Sequence, residues 1–155
     1  MKRRSATKPS QPLPDPVFFT DRDLGKTVPR LLAERGLLVE RYCDHFAERN
    51  VSDNQWLRYI CSKGWVGISH DYNIKTDSEA VRTLMENGGR LFVIRGALRA
   101  PDLAEVFLAA LRQVHGLLRR NPDAAFIASV RRSVTKGGIL RAEAQLVLTA
   151  EEWRV

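Results

Sequence analysis

The chain has 155 residues, a formal net charge of +7, 44% apolar and 28% charged residues, which is ordinary soluble usage for one domain with a substantial core and too short for two full-sized ones. No run approaches the roughly 18 apolar residues of a membrane span, and "MKRRSATKPSQPLPDP" at the N-terminus lacks the apolar stretch of a secretory signal, so the expectation is a cytoplasmic protein with no membrane association. The positive balance favours a polyanionic or acidic partner; Cys43 and Cys61 lack any zinc-like spacing and read as small core residues.

Residues 1–16 carry four prolines and four basic residues with almost nothing apolar, so they are expected to form a disordered tail. From Val17 the pattern changes. "VFFT" reads as a strand, and the following segment puts Leu24, Val28, Leu31 and Leu32 on one helical face and stops at Gly36. Pro29 either lies in the first turn of a helix beginning near Thr27 or kinks a longer one. "LLVERYC" reads as a second strand, and Ser52 or Asp53 as the cap of a helix with Trp56, Leu57, Ile60 and Cys61 on one side, closed by Gly64. "WVGISHDYNI" starts as a buried third strand and turns polar at Ser69. "TDSEAVRTLMENGG" reads as a helix, "RLFVIRG" as a fourth strand, Pro101 to about Arg120 as the longest helix, and "AAFIASVRRSV" as a fifth strand. The globular unit is expected over 17–135, with 136–155 a hairpin or irregular segment.

Short strands alternating with helices predict an α/β fold with a mostly parallel sheet and helices on both faces. The right-handed crossover sends parallel strand ends to one edge, where open α/β sheets place their chemistry. Asp21, Asp44 and Asp71 follow the first three strands, and Asp53 starts the helix leading into the third. Carboxylates gathered there are stable together as anions only with a cation between them, and Mg²⁺ or Mn²⁺ suits oxygen ligands. Each Asp taken singly also reads as a turn former or helix cap. The logical substrate of such a centre is a nucleic-acid backbone.

The stretches "FFTDRDLGKTVPRLLAERG", "VERYCDHFAERNVSDNQWL" and "GWVGISHDYNIKTDSEAVRTLMENGGRLFVI" together resemble the PIN-like domain of VapC-type toxins over roughly residues 17–130. The resemblance implies a three-layer α/β/α sandwich and a metal-dependent ribonuclease, many such proteins being the toxin half of a toxin–antitoxin pair and commonly homodimeric. Carried over by position, it implies Asp21, Asp53 and Asp71 as catalytic Mg²⁺ (or Mn²⁺) ligands, Asp44 as a fourth acid, and Asp23 and Glu79 as supporting acids. Arg22, Lys26, His70 and Lys75 are candidate RNA contacts. Where the family pattern has Thr or Ser followed by Lys or Arg, this chain reads Ser69 and His70, so it departs at His70, and "IKTDSE" is more acidic than the stretch expected there.

Three functions follow from these residues. The first is a metal-dependent endoribonuclease toxin, partnered by an antitoxin. The second is a PIN-like module with a degenerate pocket that binds RNA or protein. A response-regulator-like or nucleotide-binding domain is a third, but its late-strand Lys or Gly-rich phosphate loop is not visible. "RRSVTKGG" and the N-terminal "KRR" could reach RNA phosphates; Trp56 and Trp65 fall on apolar faces.

Overall fold

The computed structural model describes residues 15–48, 51–134, 137–138 and 140–154; the N-terminal "KRR" and Lys136 lie outside them. Five strands form where expected: β1 (Val17–Thr20), β2 (Leu38–Arg41), β3 (Val66–Ser69), β4 (Arg90–Ile94) and β5 (Phe126–Val134). A sixth, β6 (Leu140–Thr149), comes from the C-terminal segment. They make one sheet in the order β2-β1-β3-β4-β5-β6, parallel throughout except for the antiparallel β5–β6 pair.

The helices are α1 (Thr27–Glu34), α2 (Tyr42–His45), α3 (Asp53–Lys63), α4 (Ser78–Glu86), α5 (Ala100–Ala109), α6 (Leu111–Arg120) and α7 (Ala150–Trp153). Local signals set several ends. Pro29 falls in the first turn of α1, where its missing N–H costs no helical bond. Ser52 and Gln55 form a capping box at the start of α3, and Gly64 ends that helix with φ 72°. The Asp77 side chain caps α4.

Because side chains alternate across a strand, the sheet has two apolar faces. Phe18, Ile68, Phe92, Ile94 and Phe126 pack with Val28, Leu32, Phe107, Val114 and Leu117 of α1, α5 and α6. Phe19, Leu91, Val93 and Ile127 pack with Trp56, Leu57, Ile60, Leu84 and Met85 of α3 and α4. The architecture is therefore an α/β/α sandwich. At Gly67, on the second face, a Cβ would stand 2.9 Å from both Ile60 Cδ1 and Leu91 Cδ1, so the glycine lets α3 lie close on the sheet.

Two expectations need correction. The single long helix from Pro101 to Arg120 is two, broken at Ala110, whose φ and ψ are −94° and 2°. No Gly or Pro marks the break, and Phe107, Ala110 and Val114 keep the i, i+3, i+7 spacing of one buried helical face across it. The second strand ends at Arg41, and Tyr42, Cys43 and Asp44 enter the short α2, with the Tyr42 side chain buried against Phe19 and Phe46. Beyond Val130, β5 pairs only with β6, so Arg131–Val134 and Leu140–Glu143 extend past the end of β4.

Candidate active site

β1 and β3 are neighbours, and their C-terminal ends bring Asp21 and Ser69 together. The Asp21 N–H continues the ladder by donating to Ile68 O at 2.9 Å. Both residues are buried, and the Ser69 hydroxyl donates to Asp21 Oδ2 at 3.0 Å. The same hydroxyl lies 3.4 Å from Asp23 Oδ2 and accepts the Asp71 N–H at 3.0 Å. Asp23 Oδ2 also accepts the His70 N–H at 3.1 Å, and Asp21 Oδ1 accepts the Arg22 N–H at 2.6 Å. One hydroxyl thus joins the Asp21 and Asp23 carboxylates at the end of β1 to the Asp71 backbone at the end of β3. Ser69 was not among the expected site residues; the Thr or Ser usual there in the family pattern, and its place at the end of β3 on the face opposite Ile68, are the available signals.

The electrostatics follow from that crowding. Burial, then the charge of Asp23, then more weakly that of Asp53, push the Asp21 carboxyl up to about 7, although its hydrogen bonds from Ser69 and Arg22 favour the anion. Burial of the Asp23 carboxylate against the β3 end raises it too, opposed by the His70 N–H, with Asp71 adding repulsion. Much of the Asp23 residue still faces solvent. A carboxylate driven toward its neutral form by desolvation and like charges is a group that a cation would return to the anionic state.

The remaining predicted residues take distinct places. Asp53 Oδ1 accepts the indole N–H of Trp56 at 2.9 Å, and its charge reaches Asp21. Glu79 accepts from Asn54 Nδ2 at 3.1 Å, while Asn54 Oδ1 accepts from Thr83, tying α3 to α4. Asn54 was not among the expected site residues. The Asp71 carboxylate accepts the Asn73 N–H at 3.0 Å, a turn-forming contact that leaves its other oxygen for other donors.

Asp44 is engaged elsewhere. Arg41 grips it with two bonds, Nη2 to Oδ1 at 2.8 Å and Nε to Oδ2 at 3.0 Å, which hold its carboxyl below the usual range. It lines a groove with Thr27, Pro29 and Arg30. A separate cleft of about 570 Å³ opens on Asp21, and Arg22, Lys26, Arg41, Tyr42 and Phe46 line it. Of the expected RNA contacts, Arg22 and Lys26 therefore flank Asp21, whereas the His70 ring is tied to Gly96 O at 2.7 Å and Lys75 Nζ to the Tyr72 hydroxyl at 3.0 Å.

Among the described residues, no three His, Cys, Asp or Glu side chains converge closely enough to hold one metal ion. Mg²⁺ does not require such a cage, because it usually keeps several waters and binds through one or two carboxylates. Asp21 and Asp23, both oxygen donors and both raised by burial, fit that kind of hydrated, hard cation.

Residues 16–96 match a family model described as a PIN like domain, more than half of the chain. The chain belongs to the PIN-like domain family. It is also similar to a protein of Mycobacterium tuberculosis (strain ATCC 25618 / H37Rv) named "Putative ribonuclease VapC45", at 33% identity over 102 residues that cover 63% of this chain and 74% of the relative. No solved structure matches it. In this PIN-like domain, Asp21, Asp23, Asp53, Ser69, Asp71 and Glu79 all fall within the matched segment, whereas β5 and β6 lie beyond it. No helix among the described residues is long and apolar enough to cross a membrane.

Proposed function

We propose that this PIN-like protein is a Mg²⁺- or Mn²⁺-dependent endoribonuclease that hydrolyses RNA phosphodiesters, and that it is the toxin of a type II toxin–antitoxin pair acting as a homodimer. The observation that carries this reading is the Asp21 carboxyl, buried at a parallel strand end beside Asp23 and pushed up to about 7. Asp21 and Asp23 would hold the ion, with Asp53 and Asp71 as further acids at its margin. When bound, the cation supplies an activated water and offsets the charge that develops on the phosphodiester.

The chain's own residues do the rest. The Ser69 hydroxyl keeps Asp21 Oδ2 turned toward Asp23. The Trp56 indole fixes Asp53. Arg22 and Lys26, exposed beside Asp21 in the cleft, offer positive charge to the substrate phosphate.

Purified protein free of any antitoxin, given tRNA, ribosomal RNA and single-stranded DNA with Mg²⁺, Mn²⁺ or EDTA, tests the reading. Cleavage of RNA in the metal arms alone is expected, lost in Asp21→Asn and Asp71→Asn while the fold is kept. A short neighbouring reading frame whose product copurifies and silences cleavage would be the antitoxin. One observation favours a second reading, a degenerate module that binds RNA or protein: no three candidate ligands converge among the described residues. Protein that binds neither Mg²⁺ nor Mn²⁺ calorimetrically and leaves all RNA intact would transfer the proposal to that reading.

A further inference from the structure

Beside the acidic rim of β1 and β3 lies a basic one on β4 and β5. Strand alternation explains it: Val93 faces the α3/α4 layer, so Arg95, two residues on, emerges on that face, and Ile127 likewise sets the direction of Arg131. The Arg95 N–H donates to Val130 O at 2.8 Å, which brings Arg95, just past the end of β4, beside Arg131 within β5. Tyr72, next to Asp71, lies beneath Arg95. The Arg95 guanidinium sits 3.7 Å from its ring centroid and Lys75 Nζ 4.4 Å, with Lys75 also bonded to the Tyr72 hydroxyl at 3.0 Å.

These cations are not neutralised. Arg30 and Arg41 are each paired with a carboxylate, but among the described residues Lys75, Arg95 and Arg131 form no such ion pair, although Glu143 stands across from Arg131 in the β5–β6 register. An aromatic ring that orders exposed cations without spending their charge keeps their donors free for an anion. Parallel strands lie about 4.8 Å apart, so the cations at β4 and β5 stand about 10 to 14 Å from the end of β1. A strand with one phosphate at Asp21 can lay further phosphates on these cations, whereas a single small anion cannot reach both.

We propose that Lys75 and Arg95, ordered by Tyr72, form with the neighbouring Arg131 a track that holds the backbone of single-stranded RNA to one side of Asp21, fixing the direction in which the strand crosses the site. The substrate class rests on the ribonuclease reading; the track itself rests on the geometry of β4 and β5.

The test separates binding from cleavage. A fluorescent single-stranded RNA is titrated in EDTA across a salt series with Asp21→Asn protein, alone and combined with Arg95→Gln/Arg131→Gln or Arg95→Lys/Arg131→Lys. Each lost phosphate contact lowers the slope of log affinity against log salt by about 0.7. The double Gln variant should therefore lose about 1.4 in slope and at least about tenfold in affinity at low salt, while the double Lys variant keeps the slope and Arg30→Gln on α1 changes nothing. Unfolding curves superimposing on the parent exclude a folding effect. An unchanged slope in the double Gln variant overturns the track, even if the metal-loaded parent cleaves RNA. A poly-glutamate peptide that competes as well as RNA of equal charge also overturns it, since the surface would then suit an acidic protein. Conversely, the expected slope loss in a protein that cleaves nothing upholds the track and removes the ribonuclease reading.

Discussion

Asp21 should make the metal-free protein less stable as the pH rises toward neutrality, and replacing it by Asn should remove that cost. Its carboxyl moves from 3.8 to about 7 on folding, a shift of about three units that corresponds to about 4 kcal/mol. The folded pKa is the raised one, so between these values the native state holds a proton the unfolded chain has released. Stability from this group is therefore fully present below pH 3.8, falls as the pH rises, and levels off above about 7. Chemical and thermal unfolding of wild type and Asp21→Asn in EDTA, from pH 4 to 8, isolates the effect as a difference. At pH 4 the two should be close, because a protonated carboxyl and an amide can both keep partners at Ser69 and Arg22. At pH 8 the Asn protein should be more stable by up to about 4 kcal/mol, or roughly 8 to 16 °C in Tm for a chain of this size. Added Mg²⁺ should recover most of the loss in wild type and none in the variant. A difference that stays flat with pH would refute the burial-and-repulsion account of Asp21, and equal Mg²⁺ stabilisation of both proteins would remove Asp21 from the ion.

Three further outcomes follow from the same geometry. Ser69→Ala deletes the hydroxyl that serves Asp21 and accepts the Asp71 N–H; calorimetry should register a loss of about 1 to 3 kcal/mol, and Mn²⁺ titration a weaker affinity, because the Asp21 anion loses a donor. Gly67→Ala would push a Cβ into the fully buried Ile60 and Leu91, and urea unfolding should show a cost of about 1 to 3 kcal/mol with the metal-dependent activity retained at low temperature. Asp44→Ala, which only releases Arg41, should cleave RNA at the wild-type rate, whereas a loss as deep as that of Asp21→Asn would put Asp44 back among the ligands.

The layered α/β/α arrangement was legible because it depends on local signals: short apolar strands alternating with amphipathic helices, Ser52 ahead of α3 and Gly64 behind it. Periodicity hides the α5–α6 break at Ala110, because Phe107, Ala110 and Val114 keep the i, i+3, i+7 spacing of one helical face across it. The C-terminal strand was harder to read for a related reason. A register shift between Ile127 and Ala128 interrupts the β5–β6 pairing, so β6 does not keep one simple alternation of apolar and polar residues along its length.

The site was only half legible, and the reason is strand order. Placing an Asp after each strand treats all strand ends as equivalent, yet a side chain can meet Asp21 only if its strand adjoins β1 on the right face. β3 does, and delivers Ser69, His70 and Asp71. β2 also adjoins β1, but it is the edge strand and gives way to α2 at Tyr42, whose ring turns into the core. Asp44 is thereby carried to three residues beyond Arg41 on a helical turn, the spacing at which the two side chains pair. The same dependence on neighbours half hides the basic rim: Arg131 is offered as a phosphate contact within "RRSVTKGG", but Arg95 joins it only once β4 and β5 lie side by side. What a single sequence records is which residues reach the edge of the sheet; which of them face one another is decided by topology, and here that topology divides the edge into an anionic half on β1 and β3 and a cationic half on β4 and β5.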